Sequence, residues 1–172
     1  MLYNLSGIVP EEPYVVPFGQ ARTLTQGDDI TLVGISHMVV ECVRAKHLLE
    51  EIGVGTEVID PVTLTPIDID TISASVERTG RLLVVDNGWT TCGAASEILA
   101  AVVERLQGKR DFRVKRLGYA PTPCPTTKPL ENLFYPNART IALAAHELMG
   151  PGKPWEPHAA EATEIAEFKG PF

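Results

Sequence analysis

The sequence predicts an α/β domain with a mostly parallel sheet, and two observations support this prediction. Short apolar runs rich in β-branched residues alternate with segments whose apolar residues recur at helical spacing. Two of these runs, residues 30–35 and 81–85, are almost entirely apolar, which is typical of parallel strands buried on both faces. Strands that alternate with helices form parallel sheets with right-handed crossovers. We therefore expect a three-layer domain with about five strands between two layers of helices.

The chain begins with a segment, residues 1–29, that predicts an extended arm. Its first 20 residues hold three prolines, and proline both fixes φ and disfavours helix in the residue before it. At the end of the arm, residues 21–26 are compatible with one strand of a hairpin whose turn is residues 27–29.

The first helix is predicted directly after the strand at residues 30–35. Ser36 is a suitable N-cap residue, and Gly53 supplies the stop. Helical spacing relates the apolar residues Met38, Cys42, Ala45, Leu49 and Ile52. A second strand at residues 56–59 and a loop over residues 61–66 are expected to follow.

The next helix is expected to begin at a cap formed by Asp68 or Asp70 and to end near Gly80. After the strand at residues 81–85, a further helix is predicted to end at Gly108. Its apolar face is predicted to contain Cys92, Ala95, Leu99, Val102 and Leu106.

Residues 112–117 alternate in polarity and predict a fourth, more exposed strand. The prolines between residues 121 and 129 are expected to keep the next segment extended. Asn137 is the expected cap of a last helix. Its inward face is predicted to contain Ile141, Ala144, Ala145 and Leu148. The domain thus spans residues 30–149, and residues 150–172 predict a loosely packed tail.

The composition limits the classes of function that the chain can have. Its 172 residues fit one domain, and the formal net charge of -7 argues against a nucleic-acid role, which needs a clustered basic surface. The basic cluster at residues 109–116 is interrupted by other residue types and indicates a solvated turn and strand edge. We see neither a secretory signal nor an apolar stretch near the ~18 residues of a membrane span, so a cytoplasmic protein is expected.

The sequence does not predict a metal site or a phosphate-binding loop. The three cysteines are far apart and lack the spacing of zinc ligands. His47 and His146 are predicted to face solvent, and residues 27–29 are interpreted as a turn because one carboxylate pair is too few ligands for a cation. The glycine-rich patterns of phosphate cradles are also missing from the sequence.

Two polar loops follow predicted strands, one at residues 36–37 and the other at residues 86–91. Within them, His37 and Asp86 are candidates for an acid–base pair, with Cys92 as a nucleophile near a helix N-terminus. The competing interpretation, which we favour, is that Cys92 continues an apolar helix face as a core residue and His37 only begins a helix.

Five segments in the same order along the chain resemble one known family. They are residues 9–21 (VPEEPYVVPFGQA), 29–33 (DITLV), 58–68 (VIDPVTLTPID), 79–89 (TGRLLVVDNGW) and 121–136 (PTPCPTTKPLENLFYP). They resemble the transketolase-like C-terminal domain in the β subunit of pyruvate, branched-chain and acetoin dehydrogenases. The resemblance implies a non-catalytic assembly domain of a thiamine-dependent 2-oxo acid dehydrogenase, which decarboxylates a 2-oxo acid and passes the acyl group to lipoyl.

The resemblance also implies cofactors and partners. In this family thiamine diphosphate and Mg²⁺ are held by a GDG…N motif and a glutamate in other domains, so this chain is expected to bind no cofactor and to be inactive when isolated. The implied partners are a thiamine-binding α-type subunit, the remaining β-type domain, a lipoyl acyltransferase core and further copies of this chain. Two alternatives stay open, the C-terminal part of a sugar transketolase and an independent small-ligand-binding α/β module.

The same loops predict an interface patch at the carboxyl edge of the sheet. If the strands at residues 30–35 and 81–85 are parallel, the loops that follow them emerge on one edge. The patch is predicted to contain His37, Trp89, Thr90, Thr91, Pro123, Phe134 and Tyr135. Its aromatic residues are expected to be exposed, because aromatic residues are enriched at interfaces. The alternative for Trp89 is that it fills the core beneath its loop.

Overall fold

A computed structural model of the chain describes residues 10–150 and 154–158. The strands in this part are β1 (Arg22–Thr25), β2 (Ile30–Gly34), β3 (Thr56–Asp60), β4 (Arg81–Val85) and β5 (Arg113–Leu117). The helices are α1 (Met38–Glu50), α2 (Ile69–Thr79), α3 (Ala94–Leu106), α4 (Lys128–Phe134) and α5 (Ala138–Met149). The strands form one sheet in the order β1-β3-β2-β4-β5, in which β1 is antiparallel and all other neighbours are parallel. The predicted fold class is confirmed.

The sheet separates two cores, because successive side chains of a strand point to opposite faces. Leu32, Val58 and Leu83 face the layer formed by α1 and α5. Val33 and Val84, their neighbours in the strands, face the layer formed by α2 and α3. Helices therefore cover both faces, which explains why β2 and β4 are almost entirely buried and consist mainly of apolar residues.

The caps of α2 and α5 agree with the sequence prediction. Asp68 Oδ1 accepts a hydrogen bond from the backbone N–H of Thr71 at 3.0 Å, and Gly80 ends α2 in the left-handed region with φ of 69°. Asn137 forms a reciprocal capping box with Thr140 at the start of α5.

Two expectations for α1 were wrong. Ser36 does not cap the helix: it is exposed with φ of 57°, and His37 stands at the cap position without a side-chain capping bond. Ile52 lies beyond the helix end at Glu50 and is exposed. The reason is that the turn before Gly53, which has φ of 75°, takes Ile52 off the apolar face.

The predicted hairpin of β1 with β2 was also wrong, because β1 pairs with β3 at the edge of the sheet. The connecting turn passes over the start of β3. Asp29 Oδ2 accepts a hydrogen bond from the backbone N–H of Gly55 at 2.7 Å, and Gly27 packs so closely on the backbone of Thr56 that a Cβ there would clash. The turn therefore leads β2 past β3 into the centre of the sheet.

The sequence misplaced parts of α3 and missed α4. Cys92 is exposed and precedes α3, so the interpretation of it as a core residue was wrong. Leu99 is only half-buried, and Ile98 is the buried residue at this turn. The segment expected to be extended contains α4, which begins with Pro129 in its first turn, where a missing N–H costs nothing.

The tail prediction lies mostly outside the described residues. Within residues 154–158, Trp155 packs on His146 with ring centroids 5.3 Å apart, so His146 is half-buried and does not simply face solvent as expected. His47 is exposed, as predicted. Among the described residues, none of the helices has the length and apolar character needed to cross a membrane.

Candidate interface at the carboxyl edge of the sheet

The parallel strands β2, β3, β4 and β5 all end at the same side of the sheet. We call this side the carboxyl edge and define it by the loops at residues 35–37, 61–68, 86–93 and 118–127. In open α/β sheets this is the edge at which ligands usually bind.

The extended arm meets the carboxyl edge before it enters β1. The backbone N–H of Gly19 donates to Thr63 Oγ1 at 3.0 Å, and that of Ala21 donates to Asp68 Oδ2 at 2.9 Å. Gly19 also packs against Pro66. These contacts place Phe18, which is exposed, next to the loop that follows β3.

Exposed apolar side chains gather at this edge. Phe18 of the arm and Val62, Leu64 and Trp89 of the loops are all exposed. α4, which packs beside these loops, adds Leu130 and Leu133, and the latter is 78% exposed. A large contiguous group of exposed apolar residues usually marks an interaction surface.

The same loops hold the strained residues of the described chain. Ser36, Val62 and Cys92 have φ of 57°, 60° and 58°, and they follow β2, β3 and β4 respectively. A non-glycine residue in this region costs about 1–3 kcal/mol, and a β-branched residue such as Val62 is rarely found there. Backbone strain is therefore concentrated at the carboxyl edge.

Four aromatic rings form a cluster at the carboxyl edge, which we call the aromatic cluster: Trp89, Tyr119, Phe134 and Tyr135. Trp89 contacts Tyr119 and Phe134 edge-to-face at centroid distances of 5.9 and 6.4 Å. Tyr119 stacks on Phe134 at 4.8 Å, and Tyr135 meets both edge-to-face. Trp89 is 51% exposed, so it does not fill the core.

Phe134 does not belong to the exposed patch, contrary to expectation. It is only 4% exposed, because Trp89, Tyr119 and Tyr135 pack around it and it supports them from below. Tyr135 is half-buried, and its hydroxyl lies 3.5 Å from Cys124 Sγ. That contact, with burial, raises the pKa of Tyr135 to about 12, so the hydroxyl stays neutral.

The loop after β4 is fixed to the segment after β5. The backbone N–H of Tyr119 donates to the carbonyl of Gly88 at 2.9 Å, and Gly118 packs on Gly88 and Thr90. Thr90 is half-buried. Thr91 and Pro123 are exposed in these two segments. The two segments therefore form one surface, as their positions after parallel strands predict.

His37 lies on the same edge but not on the exposed surface. It is only 9% exposed, and its Nε2 is 3.8 Å from Glu41 Oε1. Glu41 itself accepts hydrogen bonds from Arg44 at 2.6 Å and from the backbone N–H of Ala138 at 2.8 Å. Burial lowers the pKa of His37, although Glu41 opposes this. Glu41 thus joins α1 to the start of α5, and His37 packs against this junction.

The alternative of an acid–base pair lacks the required geometry. Among the described residues, His37 and Asp86 are not hydrogen-bonded to each other, and His37 Nδ1 is buried without a partner. Cys92 Sγ likewise has no hydrogen bond within residues 10–150 and 154–158, so no base activates it. The same described part contains no group of three potential ligands that could hold a metal ion.

Asp86 is a polar residue that the loop after β4 almost covers. It is 8% exposed, and burial raises the pKa of its carboxyl group although the backbone N–H of Asn87 donates to it. A Cβ at Gly88 would lie 2.9 Å from Asp86 Oδ2, so only glycine lets the loop close over the carboxylate. Sequence reasoning considered Asp86 only as a catalyst, although its glycine-rich loop was a signal for this close packing.

Comparison with known proteins decides the family of the chain. The family model for "Transketolase, C-terminal domain" matches residues 19–141. The chain belongs to this family. The matched segment of this transketolase C-terminal domain runs from the end of the arm into α5 and includes the carboxyl edge.

Curated relatives of this transketolase C-terminal domain are β subunits of oxidoreductases. The chain is 39% identical over 152 residues to the "Acetoin:2,6-dichlorophenolindophenol oxidoreductase subunit beta" of Cupriavidus necator. The match covers 88% of this chain and 45% of the relative. It is also 39% identical over 133 residues to the "Pyruvate dehydrogenase E1 component subunit beta" of Staphylococcus epidermidis, covering 77% of this chain and 41% of the relative. The chain thus spans less than half the length of these relatives.

A solved structure confirms the fold of this transketolase C-terminal domain. The chain resembles a protein described as "Split gene transketolase, inactive beta4 tetramer" with a TM-score of 0.69 and 23% identity. The match covers 84% of this chain and 47% of that chain.

Proposed function

We propose that this chain is a non-catalytic assembly domain of a β-type subunit in a thiamine-dependent 2-oxo acid dehydrogenase. The carboxyl edge is the surface that packs against the other parts of the enzyme. These parts are a thiamine-binding α-type subunit and the remaining β-type domain. Among the described residues, the supporting observation is the exposed aromatic and apolar surface formed by Trp89, Leu130 and Leu133 over a buried aromatic support. The relatives' names favour a dehydrogenase over a sugar transketolase.

The described residues do not fit the thiamine diphosphate and Mg²⁺ that the complete enzyme would need. Asp28 pairs with Arg78, and Asp29 accepts from Gly55, so the carboxylates of the turn at residues 27–29 are engaged. In the basic cluster, Arg113 donates to the carbonyl of Leu148 and Lys115 pairs with Glu147. These carboxylates are thus not free to hold Mg²⁺, and these two basic side chains are not free to hold a diphosphate, so we assign the cofactor to other domains.

Further copies of this chain and a lipoyl acyltransferase core are also proposed partners. A domain whose apolar surface is normally covered by other domains is expected to self-associate through that surface when it is alone. Sedimentation velocity tests this. A strictly monomeric profile at high concentration would contradict the self-association.

Complementation of a truncated relative tests the proposed function. The β subunit of Cupriavidus necator is shortened by the part that this chain matches and is mixed with its α-type subunit and this chain. We expect this chain to co-elute with the truncated subunit and to restore acetoin-dependent reduction of dichlorophenolindophenol. The relative's own C-terminal part, supplied separately, is the positive control for the truncated subunit.

A matched pair of variants connects the outcome to the carboxyl edge. Trp89→Ser combined with Leu133→Ser should weaken co-elution at least about tenfold, because interface aromatics carry much of the binding energy. Leu24→Ser changes an exposed apolar residue on β1 and should leave co-elution unchanged. Co-elution that survives the double variant, or fails although the positive control works, would refute the proposal.

A further inference from the structure

Asp86 is a buried carboxylate without a cationic partner in the part of the chain that the structure describes. Its carboxylate accepts a hydrogen bond from the backbone N–H of Asn87. Gly88 and Gly93 both approach Oδ2, since Cβ atoms at these positions would lie 2.9 and 3.8 Å from it. The loop thus excludes water from most of the carboxylate and leaves only a small exposed edge.

Burial of a carboxylate without a counter-charge is unfavourable, and proteins usually pair such groups. Arg116, the basic residue of β5 that faces α3, donates to Ser96 Oγ at 2.6 Å instead. The N-terminus of α3 begins close to the loop and gives a favourable field, but this field is weaker than an ion pair. A positively charged group supplied by another molecule would therefore interact favourably with the Asp86 carboxylate.

The surroundings of Asp86 favour a guanidinium group over other cations. Trp89, in the same loop, is half exposed and offers an aromatic ring, which attracts a cation and stacks on the planar guanidinium. The small exposed edge of the Asp86 carboxylate can accept a charge-assisted hydrogen bond from a guanidinium N–H. The net charge of -7 also favours approach of a positively charged partner.

We propose that Asp86 and Trp89 form a recognition site for an arginine side chain of a partner polypeptide that packs on the carboxyl edge. Leu130 and Leu133 on α4 lie beside the aromatic cluster and are exposed. We therefore expect the partner to carry apolar residues next to its arginine. This rests on the proposed function and adds the chemistry of the partner segment. Because the test below uses this chain alone, its failure is distinguishable from failure of the complementation experiment.

Nuclear magnetic resonance titration of the full chain tests the site with defined probes. The indole N–H of Trp89 reports binding, and that of Trp155, the other tryptophan of the chain, is the internal reference. N-acetyl-arginine amide should shift the Trp89 signal saturably with a Kd on the order of 1–10 mM. The uncharged isostere N-acetyl-citrulline amide should bind at least about fivefold more weakly. Equal binding of the two probes, or no saturable shift, would overturn the proposal.

Two variants remove the two halves of the site. Asp86→Asn should reduce arginine binding to the citrulline level, and Trp89→Leu, which keeps an apolar side chain, should do the same when followed by calorimetry. Asp86→Asn should also raise the Tm of the chain, because it removes a buried charge. A residue that only braces the loop would instead lower the Tm when it is replaced. Unchanged arginine binding in both variants would refute the site.

A third comparison separates a polypeptide partner from a free small molecule or ion. A short peptide with arginine between leucines should bind about threefold or more tightly than N-acetyl-arginine amide, and Leu133→Ser should remove that gain. If the peptide gains nothing, or if KCl at the same concentration produces the same shift, the site does not recognise a partner polypeptide and the proposal is wrong.

Discussion

The two ends of the sheet differ in whether their buried polar groups are paired. At the amino edge, Arg78 pairs with the carboxylates of Asp28 and Glu57 and donates to the carbonyl of Gly27 at 2.6 Å. Arg81 donates to the carbonyl of Asp29 at 3.0 Å. These contacts join the turn before β2, the strands β3 and β4 and the helix α2 into one closed network.

At the carboxyl edge the arrangement is the opposite. Within the described part of the chain, His37 Nδ1 there is buried without a hydrogen-bond partner, and Asp86 is nearly covered without a cationic partner. Ser36, Val62 and Cys92 are strained, and Trp89 is half exposed. We infer that the contacts at the amino edge stabilise the domain, whereas the strained and unpaired groups at the carboxyl edge are retained for binding a partner.

The largest effect on stability is expected at the amino edge. Arg78→Ala should lower the free energy of unfolding by about 2 kcal/mol, because it leaves the buried carboxylate of Glu57 without its cation. Chemical denaturation measures this. Arg105→Ala, which removes the exposed pair with Asp70, is the matched control and should cost less than about 0.5 kcal/mol. Similar losses of unfolding free energy in both variants would show that the amino-edge network stabilises the domain no more than an exposed ion pair does.

A pair of glycine exchanges should change stability in opposite directions at the two edges. Gly80→Ala introduces a Cβ at φ of 69° and 3.0 Å from Arg110 Nη2, so it should destabilise by about 1 kcal/mol. Val62→Gly relieves a residue at φ of 60° and should stabilise by up to about 1 kcal/mol, because strain relief exceeds the added chain entropy. Thermal unfolding of both variants tests this, and a loss of stability in Val62→Gly would contradict the strain at the carboxyl edge.

The smallest effect is expected from pH at Asp86. Its folded-state pKa is raised by burial, so the stability contributed by the protonated group is present at low pH and is lost as pH rises through that pKa. Asp86→Asn should therefore have a higher Tm than the wild type at pH 7, by a few degrees, since one kcal/mol corresponds to about 2–4 °C in a domain of this size. The difference should disappear toward pH 4. A constant difference across this range would contradict the burial cost.

The sequence predicted those parts of the fold that depend on local chemistry. The mostly apolar runs predicted β2 and β4, and Asp68 and Asn137 cap α2 and α5 as expected, because caps and buried strands leave a local pattern. The pairing of β1 could not be predicted, since the contact of Asp29 with Gly55 joins residues that are far apart in the sequence.

The candidate site was predicted in position but not in detail. Parallel strands placed the loops of Trp89 and Tyr135 on one edge, which is a consequence of topology. Whether an aromatic residue is exposed depends on the return of the chain after β5, so Phe134 was expected at the surface although Tyr119 covers it. Cys92 continues a helical pattern in the sequence, but α3 begins only after Gly93, which packs on the carbonyl of Trp89.

The packing of α1 against α5 has a consequence for the chemistry of the thiols. Cys42 is fully buried between these helices, and burial raises the pKa of its thiol, so it can react only when α5 separates from α1. Cys92 and Cys124 are exposed and should react with a thiol reagent at once. The slow third labelling event would then measure how often α5 separates from α1, without any engineered probe.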